Sequence, residues 1–245
     1  MKKDLILYDK ELSTNTATRL PIGLVLDCSP SMSGDPNLGC PVAQFDPRPI
    51  DELNEGIKYF FESVKEDFTA SRSAEIAIIA FSGIAELVLD FNTIHKQQPP
   101  KLDVEMNKGG TSIGTAVKLA LKTLDERLAK YKVAGVARFA PWLVLMTDGY
   151  PTDDTHFEVA KEVSRRILNE ELTIFPIGIG TGADLNVLRL FSPKRMPVRL
   201  KGFRFRDFFE FLSLSAQAVS HSTPENPAPL DPQTRPEAEG WAETY

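Results

Sequence analysis

Three short polar clusters hold most of the chemistry this chain can offer. Asp27-Cys28-Ser29-Pro30-Ser31 follows an apolar run, Gly110-Thr111-Ser112 precedes a long periodic segment, and Thr147-Asp148-Gly149 follows a second apolar run. Together they present two carboxylates, Asp27 and Asp148, and the hydroxyls of Ser29, Ser31 and Thr111. Oxygen-only donors of this kind suit a hard cation, Mg²⁺ or Mn²⁺; zinc would favour sulfur and nitrogen. The alternation Asp27, Ser29, Ser31 has a geometric consequence. A chain leaving a strand in extended form points every second side chain the same way, so three oxygens can face one ion. An ion held by only two carboxylates keeps some residual positive charge and accepts a further anionic oxygen from outside.

Taken singly, each cluster has an ordinary explanation: a turn with helix capping, a helix start, a common turn. Their joint placement is more specific, and it depends on the elements around them. Ile22 to Leu26 is a short, branched apolar run of the kind buried on both faces of a parallel sheet. Ile50 to Phe68 carries Leu53, Ile57, Phe60, Phe61 and Val64 at helical spacing. Glu75 to Phe81 and Glu86 to Leu89 read as strands around a Ser82-Gly83 turn, and Asn92 to Asn107 as loop. A helix follows from Ile113 to about Tyr131, then a strand from Pro141 to Met146. Asp153-Asp154-Thr155 is expected to cap a helix running to Asn169. Leu172 to Ile179 is a strand, Asp184 to Phe191 a short helix, Val198 to Leu200 a short strand, and Phe203 to Val219 a final helix.

This alternation predicts an α/β fold, doubly wound, with a mostly parallel central sheet flanked by helices. Ligands of such sheets bind beyond the carboxyl ends of the strands, and all three polar clusters lie at that rim. Residues 1–220 read as one domain. Residues 221–245 read as a Pro-rich acidic tail, extended or disordered. Trp241 and Tyr245 within it are expected either to anchor on a partner, to fold back on the domain, or to remain disordered.

The bulk composition excludes several classes. With 245 residues, 42% hydrophobic and 25% charged, the chain is an ordinary globular protein. A net charge of -6 argues against nucleic-acid binding. No apolar run is long enough for a signal peptide or a membrane span, which gives a cytoplasmic expectation. The two cysteines, Cys28 and Cys40, form no disulfide framework; Cys28 reads as a buried thiol, with a bond to Cys40 left open. His95, His156 and His221 are scattered. Ser29 and Ser31 lack the Gly-x-Ser-x-Gly setting of a hydrolase nucleophile, and Gly178-Ile179-Gly180-Thr181-Gly182 lacks the lysine of a phosphate loop. The Phe203 to Phe211 stretch reads as a helix packing phenylalanines on the sheet.

The pattern Asp27-x-Ser29-x-Ser31, then Thr111 after two glycines, then Asp148 after a later strand, resembles the metal-ion-dependent adhesion site of von Willebrand factor A domains. The resemblance spans about Leu20 to Ser220. LVLDCSPSMSG, GGTSIGTAVKLAL and LVLMTDGYPTDD are closest to bacterial TerY-like members found with tellurium-resistance and stress-response clusters. It implies a divalent cation held, directly or through water, by those five residues, and a partner protein whose acidic residue completes the coordination. By analogy, candidate partners are a protein kinase or a PP2C-type phosphatase encoded nearby. Thr111 is preferred to Ser112 because the family places its threonine directly after the glycines. Pro30 stands where many members have glycine, and residues 35–49 form an insertion beside the metal face.

The resulting expectation is a metal-dependent protein-interaction adaptor that is not an enzyme. The alternative is a Mg²⁺-dependent phosphoryl-transfer enzyme with Asp27 as acceptor, although Ser29 stands where its second carboxylate would be. A third reading is a structural subunit of a larger complex with no ion bound.

Overall fold

The computed structural model describes residues 10–35, 37, 47–104, 109–148, 150–180, 182–230 and 238–244. Most of the insertion at 35–49, including Cys40, lies outside the described residues, as does Tyr245.

The strands are β1 (Leu20–Asp27), β2 (Ala74–Phe81), β3 (Ala85–Thr93), β4 (Trp142–Thr147), β5 (Thr173–Ile179), β6 (Val198–Leu200) and β7 (Ala242–Thr244). The helices are α1 (Lys10–Thr14), α2 (Pro49–Glu66), α3 (Phe68–Ser73), α4 (Ile113–Ala134), α5 (His156–Leu168), α6 (Leu185–Leu190), α7 (Phe205–Ser220) and α8 (Ala238–Trp241). The sheet has seven strands in the order β3-β2-β1-β4-β5-β6-β7. The five inner strands are parallel, and β3 and β7 close the two edges antiparallel. The fold is the doubly wound α/β architecture that the alternation of elements predicts.

β1 is the central strand and is buried along its whole length. Leu20, Ile22, Leu24 and Leu26 face a core shared with α2 and α7, while Val25 faces a second core shared with α4 and α5. The period-2 alternation of a strand thus serves both layers at once, which is why the run shows no polar gaps. Gly56 lets α2 approach α7 closely: a Cβ there would lie 2.7 Å from the Phe209 ring. The phenylalanines of α7 pack on the sheet, with Phe205, Phe208 and Phe209 all essentially inaccessible.

Two local features differ from the sequence reading, and a third takes one of the alternatives it named for Trp241, folding back on the domain. β3 is a nine-residue edge strand rather than a four-residue one, because its exposed face carries Glu86, Leu87 and Val88 and shows no simple alternation. Asp153 caps α4 rather than the helix that follows it, accepting from the backbone N–H of Gly114 at 3.2 Å and of Thr115 at 2.7 Å. The end of the chain returns to the domain. β7 pairs with β6, and Trp241 is buried against Phe208 and Phe211 at ring separations of 5.9 and 6.0 Å. Among the described residues, no helix is long and apolar enough to cross a membrane.

At the amino ends of the strands, a buried ionic network ties the layers together. Glu75 at the start of β2 accepts from Arg127 Nε at 2.6 Å, Arg127 Nη2 at 2.9 Å and the Tyr131 hydroxyl at 2.6 Å, and Arg19 Nε lies 3.0 Å away. All four side chains are buried. Burial and the adjacent Glu75 carboxylate push the Tyr131 phenol far above its ordinary range, so it stays protonated and donates to Glu75. Removing one partner of such a network strands the rest in a dry site. Glu75→Ala should therefore lower stability by about 3–5 kcal/mol in urea unfolding; a loss under ~1 kcal/mol would show that the network contributes only what exposed ion pairs do.

Candidate metal centre

The strand order reverses around β1: the first crossover leads to β2 on one side, and the later one, through α4, to β4 on the other. Ligands collect at the carboxyl end of such a switch point. Leu26 pairs with Met146, so Asp27 and Thr147 sit side by side at that end and Asp148 follows immediately.

Asp27 is fully buried. Its Oδ2 accepts from the Thr147 hydroxyl at 2.6 Å and its Oδ1 from the Ser29 backbone N–H at 2.9 Å. Ser29 is still extended, but the expected extended run ends there. Pro30–Ser33 is a turn of 3-10 helix with proline in its first turn, closed by Gly34 in the left-handed region at φ 77°. Proline's fixed φ suits that position, and glycine suits the exit. The turn, not a strand, brings Ser31 to Ser29: their hydroxyl oxygens are 2.9 Å apart. Cys28 and Met32 point the other way, into the core. Cys28 is buried.

Asp148 meets this group from β4. The Ser29 hydroxyl lies 3.5 Å from its Oδ1, and Ser31 also donates to its carboxylate. Burial, and then the neighbouring Asp27 charge, raise the Asp148 carboxyl to about 7, against the pull of the serine hydrogen bonds. Burial raises Asp27 as well, opposed by hydrogen bonds from Thr147, Ser29 and the Asp148 backbone. Among the described residues, no lysine or arginine forms a salt bridge with either carboxylate.

Thr111 joins less directly. Its N–H donates to the Thr152 hydroxyl at 2.9 Å and its carbonyl accepts from the Thr152 N–H at 2.9 Å, so it is tied to the loop that carries Asp148. Ser112 turns elsewhere, donating from its N–H to the Ser82 carbonyl at 2.7 Å and from its hydroxyl to the Gly83 carbonyl at 2.9 Å. In the bonds among the described residues Thr111 uses only its backbone groups. Asp27, Ser29, Ser31 and Asp148 therefore form one hydrogen-bonded cluster, and Thr111 stands on the loop clamped to it.

Sequence reasoning missed the clamp. Asp153 holds the start of α4 through Gly114 and Thr115 and also accepts from the Thr155 hydroxyl at 2.8 Å. Burial pushes its carboxyl upward, but bonds from Thr155, Thr115 and Gly114 outweigh that and hold it below the usual range. Gly114 permits the contact, since a Cβ there would collide with the backbone of His156. The Asp153-Asp154-Thr155 string signals a cap, but only the tertiary arrangement says which helix receives it.

The donor set suits a hard divalent cation. Two acidic groups crowd a buried site, the remaining donors are hydroxyls, and among the described residues no group of three His, Cys, Asp or Glu offers a softer or more anionic cage.

Comparison with known proteins identifies the fold and the family. The model of the von Willebrand factor type A domain matches residues 22–217. A von Willebrand factor type A structure from Catenulispora acidiphila aligns with a TM-score of 0.57 at 18% identity, covering 82% of this chain and 43% of that one. The proximal thread matrix protein 1 of the mussel byssus, in a form with a zinc-occupied MIDAS motif, aligns with a TM-score of 0.52 at 16% identity, covering 82% and 48%. The vWF domain of the pilus tip protein Mfa5 from Porphyromonas gingivalis aligns with a TM-score of 0.54 at 11% identity, covering 81% and 96%. The chain spans about half the length of the byssus protein. Comparison with curated proteins gave no match. Matched by that model over most of its length, and sharing the fold of those structures, the chain belongs to the von Willebrand factor type A domain family.

Proposed function

We propose that the chain is a divalent-cation-dependent protein-interaction module in which Asp27, Ser29, Ser31, Thr111 and Asp148 hold Mg²⁺ or Mn²⁺. The observation that carries this reading is the pair of acidic side chains brought together at the ends of β1 and β4, Asp27 fully buried and Asp148 half-buried, both with raised carboxyl pKa and neither in a salt bridge among the described residues. Such a pair is stable only if protons or a cation relieve the repulsion. A bound divalent ion supplies that charge and a position open to an anionic oxygen from outside. Asp27 and Asp148 provide the negative charge, Ser29 and Ser31 orient it through their hydrogen bonds, and Thr111 adds a neutral oxygen from the neighbouring loop. Metal-dependent protein interaction is a common role of the family, and the metal-occupied motif of the mussel protein supports a metal here.

The partner in this reading is a protein that presents an acidic side chain. The likeness of the three motif stretches to TerY-like members supports a finer placement: a cytoplasmic bacterial adaptor in a stress-response or tellurium-resistance-like system, with a protein kinase or PP2C-type phosphatase as candidate partner. The module is read as non-catalytic. A phosphoryl acceptor at Asp27 calls for a second carboxylate two residues on, and Ser29 occupies that place.

Two outcomes are expected. In calorimetry, Mg²⁺ binds the wild-type chain at one site. Asp27→Ala weakens that binding by about 100-fold or more, in the range of a lost charged ligand, with an unchanged circular dichroism spectrum. Equal affinity in the variant removes Asp27 from the site. The second outcome concerns pH. The folded chain keeps a proton on Asp148 up to about 7, whereas an unfolded aspartate releases it near its ordinary value of 3.8. That proton stabilises the fold below the ordinary value, and its contribution is lost as pH rises through about 7. Each pH unit of raised pKa costs the ionised fold ~1.4 kcal/mol. In chelator, the Tm of the wild type relative to Asp148→Asn should fall as pH rises from 5 to 7.5, and saturating Mg²⁺ should restore it. A flat difference across that range would contradict the buried-pair description.

A further inference from the structure

The loop between β5 and α6 runs directly beside the metal centre. A Cβ on Gly182 would stand 3.1 Å from the Asp148 carbonyl oxygen, so the two loops are in contact. Next to this contact opens a cleft of about 320 Å³, with Tyr150 and Gly182 among the residues that line it and two arginines, Arg189 of α6 and Arg199 of β6, lining it as well. Tyr150 is 66% exposed. Arg199 Nη2 donates to the Ala183 carbonyl at 3.2 Å, which holds its guanidinium against the loop. Arg189 is exposed on the last turn of α6 and joins no salt bridge among the described residues.

The charge balance of the cleft differs from that of the molecule. The chain as a whole carries -6. Among the described residues that line it, two guanidiniums stand against one carboxylate, Asp184, which already accepts from the Asn186 N–H at 2.8 Å as the cap of α6; Glu243 of β7 lies opposite Arg199 in the sheet. A local positive field on an acidic protein attracts an anionic group and repels most of the protein's own surface. The forked guanidinium matches the paired oxygens of a carboxylate or a phosphate.

We propose that this cleft is a second anchor for the same partner. The preferred ligand is then an acidic segment with at least two anionic groups close in sequence, one directed to the cation and the next to Arg189 and Arg199. The inference rests on the metal-dependent reading above and adds the chemistry of the partner: an acidic run rather than a lone acidic residue. A phosphorylated residue would supply the same paired oxygens at the second position.

The test uses the full chain and a fluorescein-labelled hexaglutamate peptide, read by anisotropy in 10 mM Mg²⁺ and in EDTA. Two further peptides serve as arms: one in which five glutamates are replaced by glutamine, and one in which one glutamate is replaced by phosphoserine. Hexaglutamate should bind in Mg²⁺ at least ~10-fold more tightly than the single-glutamate peptide, the return expected of one charged hydrogen-bonded pair. Arg189→Glu should remove that advantage while leaving calorimetric Mg²⁺ affinity unchanged. Arg199→Lys, which keeps the charge but loses the fork, should reduce it in part. Tighter binding of the phosphoserine peptide, also lost in Arg189→Glu, would identify phosphate as the better occupant of the same anchor. Mg²⁺-dependent binding of equal strength in wild type and Arg189→Glu would overturn the second anchor and leave the metal reading standing. Binding that is indifferent to EDTA yet lost in Arg189→Glu would overturn the metal reading and with it the two-point model. Absence of any hexaglutamate binding at millimolar peptide would overturn the acidic-run preference outright.

Discussion

Two acidic side chains, the buried Asp27 and the half-buried Asp148, are brought together by the parallel pairing of β1 with β4, and the surrounding hydrogen bonds are arranged around that pair. Parallel neighbours end at the same rim, so the register that sets Leu26 beside Met146 leaves the two carboxyls no choice but proximity. Burial and mutual repulsion both favour protonation. The chain answers with hydrogen bonds: Thr147 and the Ser29 N–H on Asp27, and the two serine hydroxyls on Asp148. These lower the cost of ionisation without neutralising it. Among the described residues, no basic side chain completes the compensation.

The scaffold separates this strain from its own stability. Arg127 and Tyr131 donate to Glu75, and Arg19 is paired with the same carboxylate, at the amino end of the sheet, opposite the rim where Asp27 and Asp148 sit. There the charges are of both signs, and every carboxylate oxygen has a partner. At the carboxyl rim the equivalent compensation is absent among the described residues. Two well-packed cores on either side of β1 hold the strand ends in place, so that loops can carry the unusual chemistry.

Those loops are themselves cross-braced. Thr111 is bonded twice to Thr152, Ser112 to the β2–β3 turn, and Asp153 to the start of α4. Moving any one of them would disturb the others, which keeps the threonine loop in register with Asp148. On the far side of Asp148, the β5–α6 loop meets the same rim, and Arg189 of α6 and Arg199 of β6 line the cleft next to it. The rim thus sets two crowded carboxyls beside a cleft lined by two guanidiniums.

Much of this was legible in the order of residues. Apolar runs without polar gaps, such as Ile22 to Leu26, marked strands buried on both faces, and the alternation of runs and periodic segments marked a doubly wound sheet, because both signals arise from local side-chain periodicity. The spacing of Asp27, Ser29 and Ser31 singled out one oxygen-bearing segment for the same reason. What the spacing could not state was how Ser31 reaches Ser29: a 3-10 turn initiated by Pro30 does this, and turn geometry depends on how the loop packs. Nor could it state that Asp153 serves α4, that Trp241 returns to Phe208 and Phe211, or that Arg189 and Arg199 share a cleft beside Asp148. Each of these joins residues distant in sequence through contacts that exist only after the sheet has assembled. Local pattern determined the elements and the candidate ligands. Long-range packing decided which groups meet, how deeply they are buried, and therefore what charge they can carry.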